Sequence, residues 1–350
     1  MKKIINELYI ELQKEKTDII KKVSLDSNID KSFLEKEFED SLLALKGLPV
    51  QANKLLKPEM VFVPNYSKKA IIYRIPKGKV LLILPSTTPI LSCILLPLCA
   101  AITGNIVVVK PSSKSKSIVV FLKRFFKKRN IKNIQFKTGV GKKSFYKVLK
   151  KYYDFVFFMG SEENGIGVEH YCCSEKIEYA GEYGGNDWAI IFDGNLEVIS
   201  NLIIENIIFK GGRDCDSIKG MLIHKRIYRA FINLLKSKIK DLEINENPSN
   251  DTIANPKFCS SLWAKKFISE KEVLGLYKKN KHGLSSAIFS NDKEHALELA
   301  KKINTARVII NSDTLDINPL IPWGGIKSTS RGGVEYWVTK FSNKKIIEIS

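Results

Sequence analysis

The sequence predicts an α/β protein of two lobes, on three observations. From Val80 onward, short apolar runs of strand length alternate with segments of helical periodicity and with turn residues, the pattern of strand–helix–strand units. At 350 residues the chain exceeds what one hydrophobic core usually serves. With 44% hydrophobic and 10% aromatic residues it has an ordinary globular composition and enough apolar material for sizeable cores.

Residues 1–22 and 31–56 carry apolar side chains at helical spacing (Ile4, Ile5, Leu8, Leu12; Phe33, Phe38, Leu42, Leu45) on either side of the polar stretch Ser24–Asn28, and read as packing helices without chemistry. Met60–Val63 and Ala70–Tyr73 flank the polar Asn65–Lys69 and predict a hairpin. Val80 to Val109 holds no charged residue and is long enough to span a bilayer. Pro85, Pro89, Pro97 and Gly104-Asn105 cut it, however, into a strand (Val80–Leu84), a helix (Ile90–Ile102) and a strand (Ile106–Val109), which suits a buried βαβ unit and no membrane span. There follow a helix over Ser117–Arg129, a strand at Ile134–Lys137, the turn Thr138-Gly139-Val140-Gly141, another helix, and a strand at Phe155–Phe158 that ends in Gly160-Ser161. Beyond Ala189–Phe192, the chain predicts a strand at Lys219–His224, a helix over Tyr228–Leu242 and a loop at Asn245–Asp251. No internal repeat or low-complexity segment interrupts this order.

The formal charge of +20 raises the question of a nucleic-acid partner. Lysines are spread through nearly every segment, and the densest run, Lys123–Arg129, has helical periodicity with its charges turned outward. A solvated helix face accounts for it better than a nucleic-acid patch. Six Cys without framework spacing and four His support neither a disulfide scaffold nor a metal site. The first residues contain no uninterrupted apolar stretch, so no signal peptide is expected, and a reducing, cytoplasmic setting follows.

Chemistry concentrates between Glu182, in Gly181-Glu182-Tyr183-Gly184-Gly185, and Cys215, in Lys210-Gly211-Gly212-Arg213-Asp214-Cys215. A thiol attacks a carbonyl carbon as thiolate, and a carboxylate can take a proton from it or from water. Taken singly, each has a plainer reading: a small buried Cys, a surface turn. Lys110-Pro111-Ser112-Ser113 follows a strand, where ligands of open α/β sheets are met, but it also reads as a solvated turn. Ser161 reads as a helix N-cap, and a helix start favours anions in either case. No Gly-x-Gly-x-x-Gly fingerprint is present.

The flanks of these residues resemble one family in its own order. Glu182-Tyr183-Gly184-Gly185 is similar to the Glu-Leu-Gly-Gly segment of the aldehyde dehydrogenase superfamily, and Gly212-Arg213-Asp214-Cys215 to its Gly-Gln-x-Cys loop. Phe158-Met159-Gly160-Ser161 resembles its Phe-Thr-Gly-Ser, Lys281–Phe289 its Tyr-Gly-Leu-Ser-Ala-Ala-Val-Phe, Ala306–Asn311 its Gly-x-Val-x-Val-Asn, and Pro322–Lys327 its Pro-Phe-Gly-Gly-Val-Lys. The resemblance runs from Tyr73 to the C-terminus. It implies a Rossmann-like dinucleotide-binding lobe with the N-terminal helices (1–181), an α/β catalytic lobe (182–318) and a returning C-terminal segment (319–350) that helps subunits join, hence a homo-oligomer. It implies Cys215 as nucleophile, Glu182 as the base for hydrolysis and Thr87 as oxyanion donor. NADP or NAD would be held by Lys110, Ser113, Gly139, Gly141, Gly160, Ser161, Gly184 and Phe258. Because NAD-preferring members often carry Glu where Ser113 stands, NADP is expected to be accepted.

The pattern is broken in three places. Thr87, in Pro85-Ser86-Thr87-Thr88-Pro89, replaces the family's Asn and reaches less far. Pro256-Lys257-Phe258-Cys259 lacks the Glu that meets the nicotinamide ribose, and the stretch between Cys215 and Phe258 and the N-terminal part are both short for the family. Three functions follow from the resemblance: oxidation of an aldehyde to a carboxylic acid, NADPH-dependent reduction of an acyl thioester delivered by CoA or an acidic carrier protein, and a catalytically weakened scaffold. Retention of Glu182 speaks for the first over the second, and retention of Cys215 against the third.

Overall fold

The computed structural model describes the chain except residues 63–68, 140, 241, 256–260, 316, 328, 330 and 350 and the side chains of 142 and 143. The chain divides into two compact units: Met1–Glu182 with Asn318–Pro322 and Gly332–Ser350, and Tyr183–Ile317 with Trp323–Arg331.

The first unit opens with two helices, α1 (Lys2–Ser27) and α2 (Lys31–Leu56), then β1 (Glu59–Phe62) and β2 (Lys69–Pro76) as the expected antiparallel hairpin. There follow β3 (Lys79–Ile83), α3 (Leu91–Ile102), β4 (Ile106–Lys110), α4 (Lys116–Lys128), β5 (Ile134–Phe136), α5 (Gly141–Leu149), β6 (Phe155–Met159), α6 (Glu162–Ser174) and β7 (Glu178–Glu182). The strands β3 to β7 form one parallel sheet in the order β5-β4-β3-β6-β7. Parallel strands are covered on both faces, which is why Val80–Ile83, Val107–Val109 and Phe155–Phe158 are continuous apolar runs. The uncharged stretch from Val80 is thus a βαβ unit whose helix has 12 residues. No helix among the described residues is long and apolar enough to cross a membrane.

Two expectations change here. The basic run on α4 is more than a solvated face: Arg124 pairs with Glu15 at 2.6 Å, and Arg129 reaches Glu11 at 2.7 Å, so α1 lies along it. Nor are α1 and α2 packing elements only. Asp26 accepts the Ser117 N–H at 2.6 Å in the first turn of α4, and buried Glu37 accepts the Ile90 and Leu91 N–H groups at 2.8 and 2.9 Å at the start of α3. Each carboxylate satisfies amide groups that a helix start leaves without intrahelical partners.

The second unit holds β8 (Asp187–Ile191), α7 (Leu196–Ile208), β9 (Ile218–His224), α8 (Tyr228–Lys238), β10 (Ile244–Asn245), α9 (Asn250–Ala254), β11 (Leu262–Phe267), α10 (Glu270–Tyr277), β12 (His282–Gly283), β13 (Ser285–Phe289), α11 (Lys293–Lys302), β14 (Arg307–Ile310) and β15 (Ile326–Lys327). Its main sheet is parallel, in the order β10-β11-β9-β8-β13-β14. Alternate residues of β8 feed two cores: Ala189 and Ile191 pack with α7 and α8, while Trp188 and Ile190 pack with Trp263 and Tyr277. Helix α8 ends at Lys238, four residues before the expected Leu242, because Ile239 turns to extended backbone (φ −128°, ψ 104°). The chain then returns to the first unit as α12 (Val334–Lys340) and β16 (Ser342–Ile349), which pairs antiparallel with β2.

Candidate active site

In the first unit, the residues singled out by sequence line the carboxyl ends of the parallel strands. The register places Lys110 opposite Ile83, Ile83 opposite Phe158 and Met159 opposite Glu182. Strand order reverses at β3, so the loops after β3 and β6 flank the switch point at which open α/β sheets take ligands. Thr87 lies in the loop after β3, half-buried, with Glu37 fixing the helix start just beyond it.

Lys110 ends β4 at 9% exposure; its ammonium donates to the Pro111 carbonyl at 3.2 Å and the Gly139 carbonyl at 3.1 Å. Burial holds its pKa below the usual lysine value, and among the described residues no carboxylate pairs with it. Such a cation gains from an anionic ligand. Ser113 is exposed on the following turn, and Gly141 begins α5. Ser161 precedes α6, but its hydroxyl caps no helix amide; it accepts from Asn164 Nδ2 at 2.8 Å instead. Helix α6 begins at the sheet's carboxyl edge, and a helix start is a favourable place for a phosphate. The Gly160 N–H is tied to the Glu182 carbonyl at 3.0 Å. Glu182 itself is 1% exposed and accepts from Trp337 Nε1 at 2.8 Å, a partner that sequence reasoning missed because it lies 155 residues away. Buried Lys110, the α6 start and the glycine-lined turn together fit a dinucleotide. Phe258 lies outside the described residues.

In the second unit the same kind of sheet is used from its other end. Cys215 sits in the turn that enters β9, at the amino edge of the sheet, after α7 and a tight stretch in which Lys210, Gly211 and Gly212 all have positive φ (49°, 64° and 68°). Two glycines make that run affordable; Lys210, a side-chain-bearing residue in the left-handed region, is held by an ion pair with Asp214 at 2.8 Å. Lys219 donates to the Gly212 carbonyl, and Asn206 ties the loop's exit through the Ile218 N–H at 2.6 Å and Thr314 at 3.0 Å. Gly185 explains the second glycine of the Glu-Tyr-Gly-Gly segment: a Cβ there would stand 2.4 Å from the Cys215 carbonyl oxygen. Gly184, beside it, is half-buried.

The partly exposed Cys215 thiol donates to Asp216 Oδ2 at 3.2 Å and to Asp214 Oδ1 at 3.5 Å. Asp216 Oδ1 accepts from Ser285 Oγ at 3.2 Å, and Asp187 Oδ1 accepts the Ser285 N–H at 3.0 Å. Burial, with Asp216, Asp214 and Asp187 nearby, pushes the Cys215 thiol well above its ordinary value. Burial and Asp214 push Asp216 up to about 6; burial and Asp216 raise Asp187 further. Asp214 is the exception: against its burial, the Lys210 ammonium together with hydrogen bonds from Cys215 and the Asp216 N–H holds it below the usual range. The ligand-type atoms of Asp214, Cys215 and Asp216 lie within 4.8 Å of one another, and one oxygen of each carboxylate is engaged elsewhere, Asp214 Oδ2 by Lys210 and Asp216 Oδ1 by Ser285.

Comparison with known proteins places the whole chain in one family. The sequence model of the aldehyde dehydrogenase family matches residues 2–265 and 258–347. The chain belongs to the aldehyde dehydrogenase family. It is 24% identical over 312 residues to a lactaldehyde dehydrogenase of Methanocaldococcus jannaschii, covering 72% of this chain and 67% of that protein. It is likewise 24% identical to a 3-sulfolactaldehyde dehydrogenase of Priestia megaterium, covering 81% of this chain and 72% of the relative. Among solved structures, a glyceraldehyde-3-phosphate dehydrogenase of M. jannaschii in complex with NADP superimposes with a TM-score of 0.87 at 22% identity, over 99% of this chain and 88% of the other. Aldehyde dehydrogenase 21 of Physcomitrella patens gives 0.88 at 16% identity, over 99% and 85%. Membership makes the chain an NAD(P)-dependent oxidoreductase of the aldehyde dehydrogenase type.

Proposed function

We propose that the chain oxidises an aldehyde to a carboxylic acid by covalent catalysis at Cys215, with NADP or NAD as electron acceptor. The observation that carries this reading is the Cys215 loop itself: a partly exposed thiol on a backbone fixed by Gly185, Lys219 and Asn206, with carboxylates at hydrogen-bond distance. Attack of sulfur on the aldehyde carbon gives a thiohemiacetal, and the Cys215 backbone N–H and the Thr87 hydroxyl are the donors proposed for its oxyanion. The bound nicotinamide supplies the oxidising power that converts this adduct to a thioester. Glu182, oriented by Trp337, is the base proposed for the water that releases the acid.

Lys110 and the start of α6 hold the dinucleotide phosphates in this reading, with Gly139, Gly141, Gly160 and Ser113 lining their approach. No carboxylate stands at position 113 to repel a 2′-phosphate, so NADP is accepted. The relatives' names point to small aldehydes, several bearing an anionic group, and define a first panel of lactaldehyde, 3-sulfolactaldehyde, glyceraldehyde 3-phosphate and benzaldehyde.

The test is NAD(P)H absorbance on the purified chain and its Cys215→Ala variant, with this panel plus NAD(P) and, in parallel, acyl-CoA plus NADPH. Formation of NAD(P)H that depends on Cys215 supports oxidation. Consumption of NADPH with acyl-CoA would transfer the reading to thioester reduction, and no signal in either direction would leave only a binding role.

A further inference from the structure

The geometry points to Asp216 as the catalytic base that removes the Cys215 proton as sulfur attacks, an inference that rests on Cys215 being the nucleophile. Asp216 Oδ2 is 3.2 Å from Sγ. The carboxylate is 3% exposed and cannot swing away freely: Ser285 Oγ holds its other oxygen at 3.2 Å and Thr314 Oγ1 holds its backbone carbonyl.

The other acids around the sulfur are less suited. Asp214 Oδ1 is farther, at 3.5 Å, and its second oxygen is committed to Lys210 at 2.8 Å. That pairing keeps Asp214 ionised and makes it the weaker base. Asp187 is fully buried and receives the Ser285 N–H, and burial beside Asp216 favours its neutral form. The charged groups acting on this cluster are thus Asp187, Asp214, Lys210, Lys219 and Arg307. Their balance leaves Asp216 titrating at about 6, mostly ionised at pH 7 and close to the operating pH, where a general base works best.

The setting also explains why a neighbouring base is needed. Cys215 follows the C-terminal end of α7 and faces carboxylates, so a free thiolate is disfavoured, unlike thiols at helix N-termini. A proton that leaves together with C–S bond formation avoids that ion. The S–H proton passes to Asp216 Oδ2, the sulfur electron pair forms the C–S bond, and the carbonyl π pair becomes the oxyanion. On hydrolysis of the thioester, sulfur departs with its electron pair and takes the same proton back, returning Asp216 to its carboxylate.

The test compares the full chain with Asp216→Asn and Asp216→Glu, following Cys215 alkylation by iodoacetamide by mass spectrometry from pH 5 to 9.5, alongside kcat/KM for an aldehyde. In the parent chain, alkylation rises through an inflection near pH 6, where Asp216 gains its charge, and then levels. The Asn variant loses that inflection, alkylates roughly tenfold or more slowly at pH 7, gains rate only as the thiol itself ionises, and loses about 10²-fold in kcat/KM at pH 7. The Glu variant recovers part of both. Asp216→Ser carries the same expectation as Asn should that side chain fail to fold in its buried setting. Alkylation of the Asn variant at pH 7 as fast as the parent or faster overturns the inference, since that is what removal of a merely repelling charge would produce. Failure of the parent chain to oxidise any aldehyde would overturn the functional reading instead, while the alkylation profiles still decide the role of Asp216.

Discussion

The two parallel sheets place their candidate site residues at opposite ends of their strands. In the first, Lys110, Gly160, Ser161 and Glu182 end strands or follow them; in the second, Asp187, Cys215, Asp216 and Ser285 begin strands or precede them. The carboxyl edge of a βαβ sheet leads into helix N-termini, whose field favours an anion. The amino edge is entered from helix C-termini and carries no such field. A thiol there has to be served by side chains, and the three carboxyls around it have mutually shifted titrations, with Lys210 and Lys219 beside them.

Four substitutions separate the edges, taken from the largest expected effect. Cys215→Ala lowers aldehyde turnover by at least about 10⁴-fold and leaves nucleotide affinity unchanged, measured by NAD(P)H absorbance and by titration calorimetry. Gly185→Ala drives a Cβ to within 2.4 Å of the Cys215 carbonyl and displaces the nucleophile, so kcat falls on the order of 10²-fold with little change in nucleotide binding. Lys110→Met acts the opposite way: nucleotide affinity weakens roughly 10- to 100-fold, the scale of a charge-assisted hydrogen bond, while iodoacetamide labelling of Cys215 keeps its rate.

Asp187→Asn is the mildest and concerns stability. A carboxyl whose folded pKa is raised contributes fully below its unfolded value of 3.8 and loses that contribution as pH rises through the folded value. Asn keeps an acceptor for the Ser285 N–H and has no proton to lose. The variant's melting temperature should therefore exceed the parent's by about 2 °C or more at pH 8, with a smaller gain at pH 4, read by calorimetry. By the same sign, the parent chain loses stability between pH 4 and pH 6 as Asp216, raised to about 6, is forced to ionise in the folded state.

Much of the scaffold is legible in the sequence, because periodicity and turn residues act locally. The uncharged stretch from Val80 separates into strand, helix and strand at its own prolines and Gly104-Asn105. The positions of Lys110 and Cys215 follow from their place after or before a strand. What is not legible depends on residues far apart in the chain. Glu37 reads as one polar residue on an apolar helix face, and nothing nearby shows that it caps a helix beginning more than fifty residues later. Arg124 finds Glu15 across 109 positions, which turns an apparently solvated charge into a contact between helices. Asp187, Asp216 and Ser285 converge only because β8, β9 and β13 are neighbours, an order no spacing rule reveals. Gly185 looks like a turn glycine until the Cys215 carbonyl is seen against it.

The most direct test of the account is to find where the substrate becomes covalently attached. In a Glu182→Gln variant, with hydrolysis slowed, the chain is mixed with an aldehyde from the panel and NADP, quenched in acid within a turnover and analysed by peptide mass spectrometry. The account predicts one equivalent of NADPH per chain and a matching acyl mass on the peptide containing Cys215. NADPH release with that peptide unmodified, or an acyl group on another cysteine such as Cys173, would contradict it.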